Sequence, residues 1–168
     1  MTTSLPKSQQ WKLKNLALLP YDIDVAHNVT VAGTLVVTGA QTFTGNAAVT
    51  GTLTTAGLLT VNGGLNIKYS TVAAAGSTVT DAAQLAQGFN LVTAADATKG
   101  VKLPAAPAAG TVILIQNNAA SILKVWPDAS ATINSISSNS DLAVAAHAPA
   151  MFVASSTTQW WSFPLVPS

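Results

Sequence analysis

In the middle of the chain, apolar and small polar positions repeat in blocks of six. Residues 28–69 read NVTVAG, TLVVTG, AQTFTG, NAAVTG, TLTTAG, LLTVNG and a degenerate GLNIKY. Glycine closes each complete block: Gly33, Gly39, Gly45, Gly51, Gly57 and Gly63. The second position holds Val29, Leu35, Gln41, Ala47, Leu53, Leu59 and Leu65; the fourth holds Val31, Val37, Phe43, Val49, Thr55, Val61 and Ile67. Side chains alternate sides along a strand, so these two positions share one face, and it is mostly apolar. The other positions are mostly Thr, Ala or Asn. Glycine tolerates positive φ and brings no Cβ to a corner. The pattern predicts one short strand and one bend per hexad.

Such hexads can wind in two ways. One chain can form a left-handed β-helix with about three hexads per coil, which gives too few coils for a stable repeat array. Three chains can instead wind around a common axis, each completing the narrow apolar stripe of the others. The intertwined trimer is the favoured expectation. A β-meander with glycine turns is the third option, but six-residue spacing is short for a strand of ~5–6 residues plus a loop.

The flanks differ from this stem. Residues 1–27 carry Lys7, Lys12 and Lys14 beside Trp11, Leu13, Leu16, Leu18, Leu19 and Tyr21, with Pro20 ending any helix there. They read as an extended arm. Its Trp and Leu are anchor-type residues and its lysines suit an acidic groove on a partner. Residues 70–168 read as a compact β domain, a sandwich or barrel-like knob. The expected strands are Phe89–Ala94, Thr111–Asn117, Ile122–Trp126, Asp141–Ala146, Ala150–Ala154 and Gln159–Phe163, separated by turn-rich segments. Thr80 and Asp81 are expected to cap one helical turn through Ala86. Trp126, Phe152, Trp160 and Trp161 are the expected core aromatics. Trp160 and Trp161 are adjacent and must face opposite ways, one inward and one toward an interface.

Composition narrows the function. Charged residues are only 8% of the 168, against about 25% in an ordinary domain. There is no Arg, no Glu and no Cys, and residues 28–67 carry no charge at all. Nucleic-acid binding is poorly supported without Lys/Arg clusters. No apolar run reaches the ~20 residues of a membrane span, and no signal-peptide core is evident. The expected site of synthesis is a cytoplasm.

Catalytic chemistry is equally sparse. Ser140, Asp141 and His147 are close in sequence but do not form a triad along one strand. Asp22 and Asp24 are too few oxygens for Ca²⁺. Three copies of His27 around an axis are a minor metal option beside a solvated hinge histidine. No phosphate-binding glycine loop is present. Asn28-Val29-Thr30 matches a glycosylation acceptor but is discounted without secretory context. The expectation is no enzyme, no cofactor and no metal.

The Thr/Val/Gly hexads resemble the shafts of bacteriophage fibre and decoration proteins. The stretches TDAAQLAQGFNLVTAADATKGVKLP from Thr80 and GTVILIQNNAASILKVWP from Gly110 resemble segments of phage structural proteins. The nearest family is the trimeric capsid cement proteins, with head fibres beside them; tail fibres use the same pieces. The resemblance covers roughly residues 28–163. It implies a homotrimer on the outer surface of a virion. There it would clamp neighbouring copies of the major capsid protein, with the arm as the attachment segment. A fibre whose knob recognises host glycans is the alternative.

Overall fold

The computed structural model describes residues 31–86 and 88–165. The arm, with Lys7 through Tyr21 and His27, and Val29 of the first hexad lie outside the described residues. The chain divides into two units, Met1–Gly57 and Leu58–Ser168. Among the described residues the fold is all-β, with no helix.

The hexads are legible in the backbone. The chain bends at Gly33, Gly39, Gly45, Gly51, Gly57 and Gly63, and the residues between run without turns. Two details are specific to the single chain. None of residues 31–68 belongs to a strand, as no other described segment of the same chain pairs with them; the favoured expectation has them pair between chains. And the hexad glycines do not adopt positive φ, and a Cβ at any of them would meet nothing within 4 Å.

The second unit contains the folded core. Its strands are β1 (Tyr69–Ala73), β2 (Ala83–Gln84), β3 (Gly88–Ala94), β4 (Gly100–Lys102), β5 (Val112–Asn117), β6 (Leu123–Trp126), β7 (Thr132–Ile133), β8 (Leu142–Val144), β9 (Pro149–Ala154) and β10 (Gln159–Pro164). They form a six-stranded sheet ordered β1-β3-β5-β9-β10-β7 and a four-stranded sheet ordered β2-β4-β6-β8. Up to β8, odd strands enter the first sheet and even strands the second, so the chain winds as a β-solenoid of about four turns. Pairing among β1, β3 and β5, and among β2, β4 and β6, is parallel. The antiparallel hairpin β9–β10 then inserts between β5 and β7. The sequence pattern puts the β-helix in the hexads and a sandwich or barrel after them; in this chain the winding lies after them. Its coils carry no sequence repeat, so only the pairing shows it.

Alternation builds the core. Val92, Ile113, Ile115, Ala150, Phe152, Ala154 and Trp160 point inward from the large sheet, and Val101, Leu123, Val125 and Val144 from the small one. Phe152 and Trp160 are fully buried, as expected of core aromatics. Trp126 is buried outside that core. It shares a face with Lys102 and Gly100 in the ladder, where its indole fills the slot left by the missing side chain of Gly100.

Two buried asparagines replace local turns that hydrophobic packing cannot satisfy. Asn117 Nδ2 donates to the carbonyls of Ser121 (2.9 Å), Ala145 (2.9 Å) and Val144 (3.3 Å), and its Oδ1 accepts from Ala119 N (3.1 Å). Asn90 Nδ2 donates to Ala86 O (2.9 Å), and its Oδ1 accepts from Ala86 N (3.3 Å). The expected helical turn through Ala86 does not form. The Asp81 carboxylate instead accepts the N–H groups of Ser77 and Thr78 upstream, and Ala83–Gln84 pairs with Val101–Lys102 as β2.

Candidate interaction surfaces

The apolar residues of the hexads have no partner among the described residues. Every residue from 31 to 69 is exposed. Leu35 is 69% exposed, Phe43 72%, Leu53 64% and Leu65 74%. Val31, Val37, Val49, Leu59, Val61 and Ile67 are exposed too. Monomeric proteins rarely show contiguous apolar patches beyond a few hundred Å², and larger ones mark contact sites.

A second apolar surface lies on the outer face of the large sheet. Register aligns Tyr69, Phe89, Leu114, Met151 and Phe163 as one row across β1, β3, β5, β9 and β10. Val112, Val153 and Trp161 form the next row. Thr71, Leu91, Gln116 and Pro149 form the row on the other side. Tyr69 and Phe89 stack with ring centroids 5.9 Å apart. No charged side chain stands in these rows. Trp160 and Trp161 do face opposite ways: Trp160 is buried and Trp161 is 45% exposed, its Nε1 donating to Ser155 Oγ at 3.0 Å.

The outer face of the small sheet has the opposite character. Lys102 pairs with Asp128 at 3.5 Å and Lys124 with Asp141 at 4.0 Å. The Lys124 ammonium also sits 5.7 Å from the Trp126 ring centroid. At the corner before β4, the Asp96 carboxylate accepts from the Thr98 hydroxyl, Thr98 N and Lys99 N. The Thr98 hydroxyl foremost, then Lys99, hold that carboxyl well below the usual range.

The residues weighed for catalysis are placed apart in role. Asp141 is in its ion pair with Lys124, and His147 is exposed in a left-handed turn (φ 56°) where its N–H donates to Ala119 O. Among the described residues no hydrogen bond joins Ser140, Asp141 and His147. No group of three metal-ligating side chains occurs among the described residues, and no helix there is long and apolar enough to cross a membrane. A cleft of ≈ 430 Å³ opens beside β8, lined by Leu142, Val144, Pro149, Pro164 and Leu165. Its polar lining residue, Ser162, is already engaged by Asn134 at 2.8 Å.

No family model and no curated protein matches the sequence. The physical case for function therefore rests on these surfaces. Sequence reading picked out the stem stripe and Trp161 but missed Leu91, Leu114, Met151 and Phe163. The signal was available in VILI and AMFVA, whose runs are apolar on both faces. Assigning the outer row needed the register across five strands.

Proposed function

We propose that this chain is a structural virion protein: a homotrimeric cement or decoration protein on the outer capsid surface. In this reading residues 28–69 form an intertwined trimeric stem, residues 70–168 the knob and residues 1–27 the capsid-anchoring arm. The chain clamps neighbouring major capsid subunits and has no catalytic role. The observation that carries the reading is the stem. It is a neutral, regularly bent segment whose apolar stripe is exposed in its own chain. An exposed apolar stripe of this kind marks a contact surface, and in this reading the other two chains of the trimer cover it. The resemblance of the hexads to phage shafts supplies the virion context.

A clamp that binds only the assembled shell lowers the free energy of that state. Three arms on one trimer add avidity through effective concentration. The glycan-binding fibre shares the stem and differs in what the knob meets. Exposed Trp161 is its best support, but its row neighbours Val112 and Val153 offer no polar groups to orient a sugar.

The test is co-sedimentation with emptied, undecorated capsids, full-length chain beside a chain lacking residues 1–20. Saturable binding by the full-length chain alone is expected. Equal binding by both removes the arm from the anchoring role, and binding by neither removes the cement reading.

A further inference from the structure

We propose that the outer face of the six-stranded sheet is the surface on which the C-terminal units of neighbouring copies of this chain pack together. The proposal rests on the self-assembling reading above and names a second surface that closes the assembly, beyond the stem.

The first argument is the contrast between two faces of one unit. A sheet with one face on the core and one in water carries polar side chains on the wet side. The small sheet obeys this, with Lys102, Lys124 and their Asp partners outside. The large sheet does not. Its central row, Tyr69 to Phe163, is apolar or aromatic at each of the five strands it crosses and spans about 19 Å at the usual strand spacing. Aromatics and Met are residue types that protein interfaces favour, while Lys and Asp are depleted there.

Charge and polarity identify the occupant. The face carries no charge in its three rows, so it neither steers nor selects an acidic or basic partner. Permanent contacts between like chains are more apolar than contacts that form and break. A second copy presents a neutral face of the same kind.

The third argument is continuity. Leu65 and Ile67 of the last hexad and Tyr69 of β1 follow at spacing two, and all three are exposed. The ladder has already begun at Lys68, whose carbonyl accepts from Phe89 N at 2.8 Å. Within the second unit, Leu65, Ile67 and Tyr69 thus make one apolar series in the chain that leads into the sheet face.

The chain has no cysteine, so single thiols report on each face cleanly. Val112→Cys places one on the large sheet's outer face and Ala143→Cys one on the small sheet's; both positions are exposed in the single chain. The full-length variants are labelled with a maleimide under reducing conditions, and their mass is measured by analytical ultracentrifugation. The expected result is a trimer in which the thiol at 112 reacts at least about tenfold more slowly than that at 143, because a thiol in a dry contact is reached only when the contact opens. A trimer with equal labelling rates overturns this inference and leaves the trimeric stem standing. A monomer with equal rates overturns both. A monomer with slow labelling at 112 overturns the second copy as occupant, since the chain would then be covering its own face.

Discussion

Replacing Asn117 by Ala removes the polar staple that ties the end of β5 to the loop before β6 and to the end of β8. The amide nitrogen has two hydrogens, so its three donor contacts count as two bonds, and Oδ1 accepts a third from Ala119 N. At about 1 kcal/mol each for an intramolecular hydrogen bond, with the partners left buried, the expected loss is about 3 kcal/mol. Asn117 is fully buried, so water cannot replace these bonds without entering the core. Asn90→Ala loses its paired bonds to Ala86 and should cost about 2 kcal/mol. Asn118→Ala, at an exposed neighbour, should stay within about 0.5 kcal/mol. The assay is equilibrium urea unfolding followed by tryptophan fluorescence. All variants are compared at one protein concentration, because self-association shifts apparent stability. An Asn117→Ala midpoint matching that of Asn118→Ala would refute the claim that buried amides hold these corners.

Acid should weaken the second unit through two carboxylates. Asp96 is held below its ordinary 3.8 by the Thr98 hydroxyl first, and Asp81 is lowered by the Thr78 hydroxyl first. Depressed carboxylates contribute stability that is fully present above the unfolded value and lost as pH falls toward the folded one. The urea midpoint should therefore fall below pH 3.8, and the fall should be shallower in Asp96→Asn; an identical profile in that variant would assign the acid loss elsewhere. Gly88→Ala should destabilise by more than about 1 kcal/mol, since φ is +101° and the new Cβ would overlap the Lys68 carbonyl oxygen. Gly110→Ala has a similar φ of +86° but open space; if the two variants unfold at the same urea concentration, the overlap at Gly88 is absorbed without cost.

The readable parts of this sequence were those with a short period. The hexad bends fall on the glycines, and β3, β5, β6, β8, β9 and β10 all lie where alternation or an apolar run placed them. Strands β2, β4 and β7 have two or three residues each and no flanking apolar run like the LAVAA around β8 to mark them. Tyr69–Ala73 was lost because the degenerate hexad GLNIKY runs into it without a glycine stop. The parallel winding was hidden for a different reason. Pairs such as Phe89 with Leu114 join residues of unrelated local sequence, and only the backbone connection through β4 makes them neighbours. Trp126 is buried as expected, but on the outward side of the ladder, in the space left at Gly100, a relation carried by the ladder and not by either residue's own neighbours in the chain.

The neutrality of residues 31–67 and of the large sheet's outer face sets how their contacts respond to conditions. Ionic strength screens charges, and there are none here to screen. If copies of the chain associate through these surfaces, the expected association is insensitive to sodium chloride over the range where salt-bridged assemblies come apart, and tightens in sulfate or phosphate, which are excluded from apolar surface. Burial of apolar area lowers heat capacity, so the same contacts weaken on cooling. For an assembly held this way, cold is the destabilising direction and salt is not.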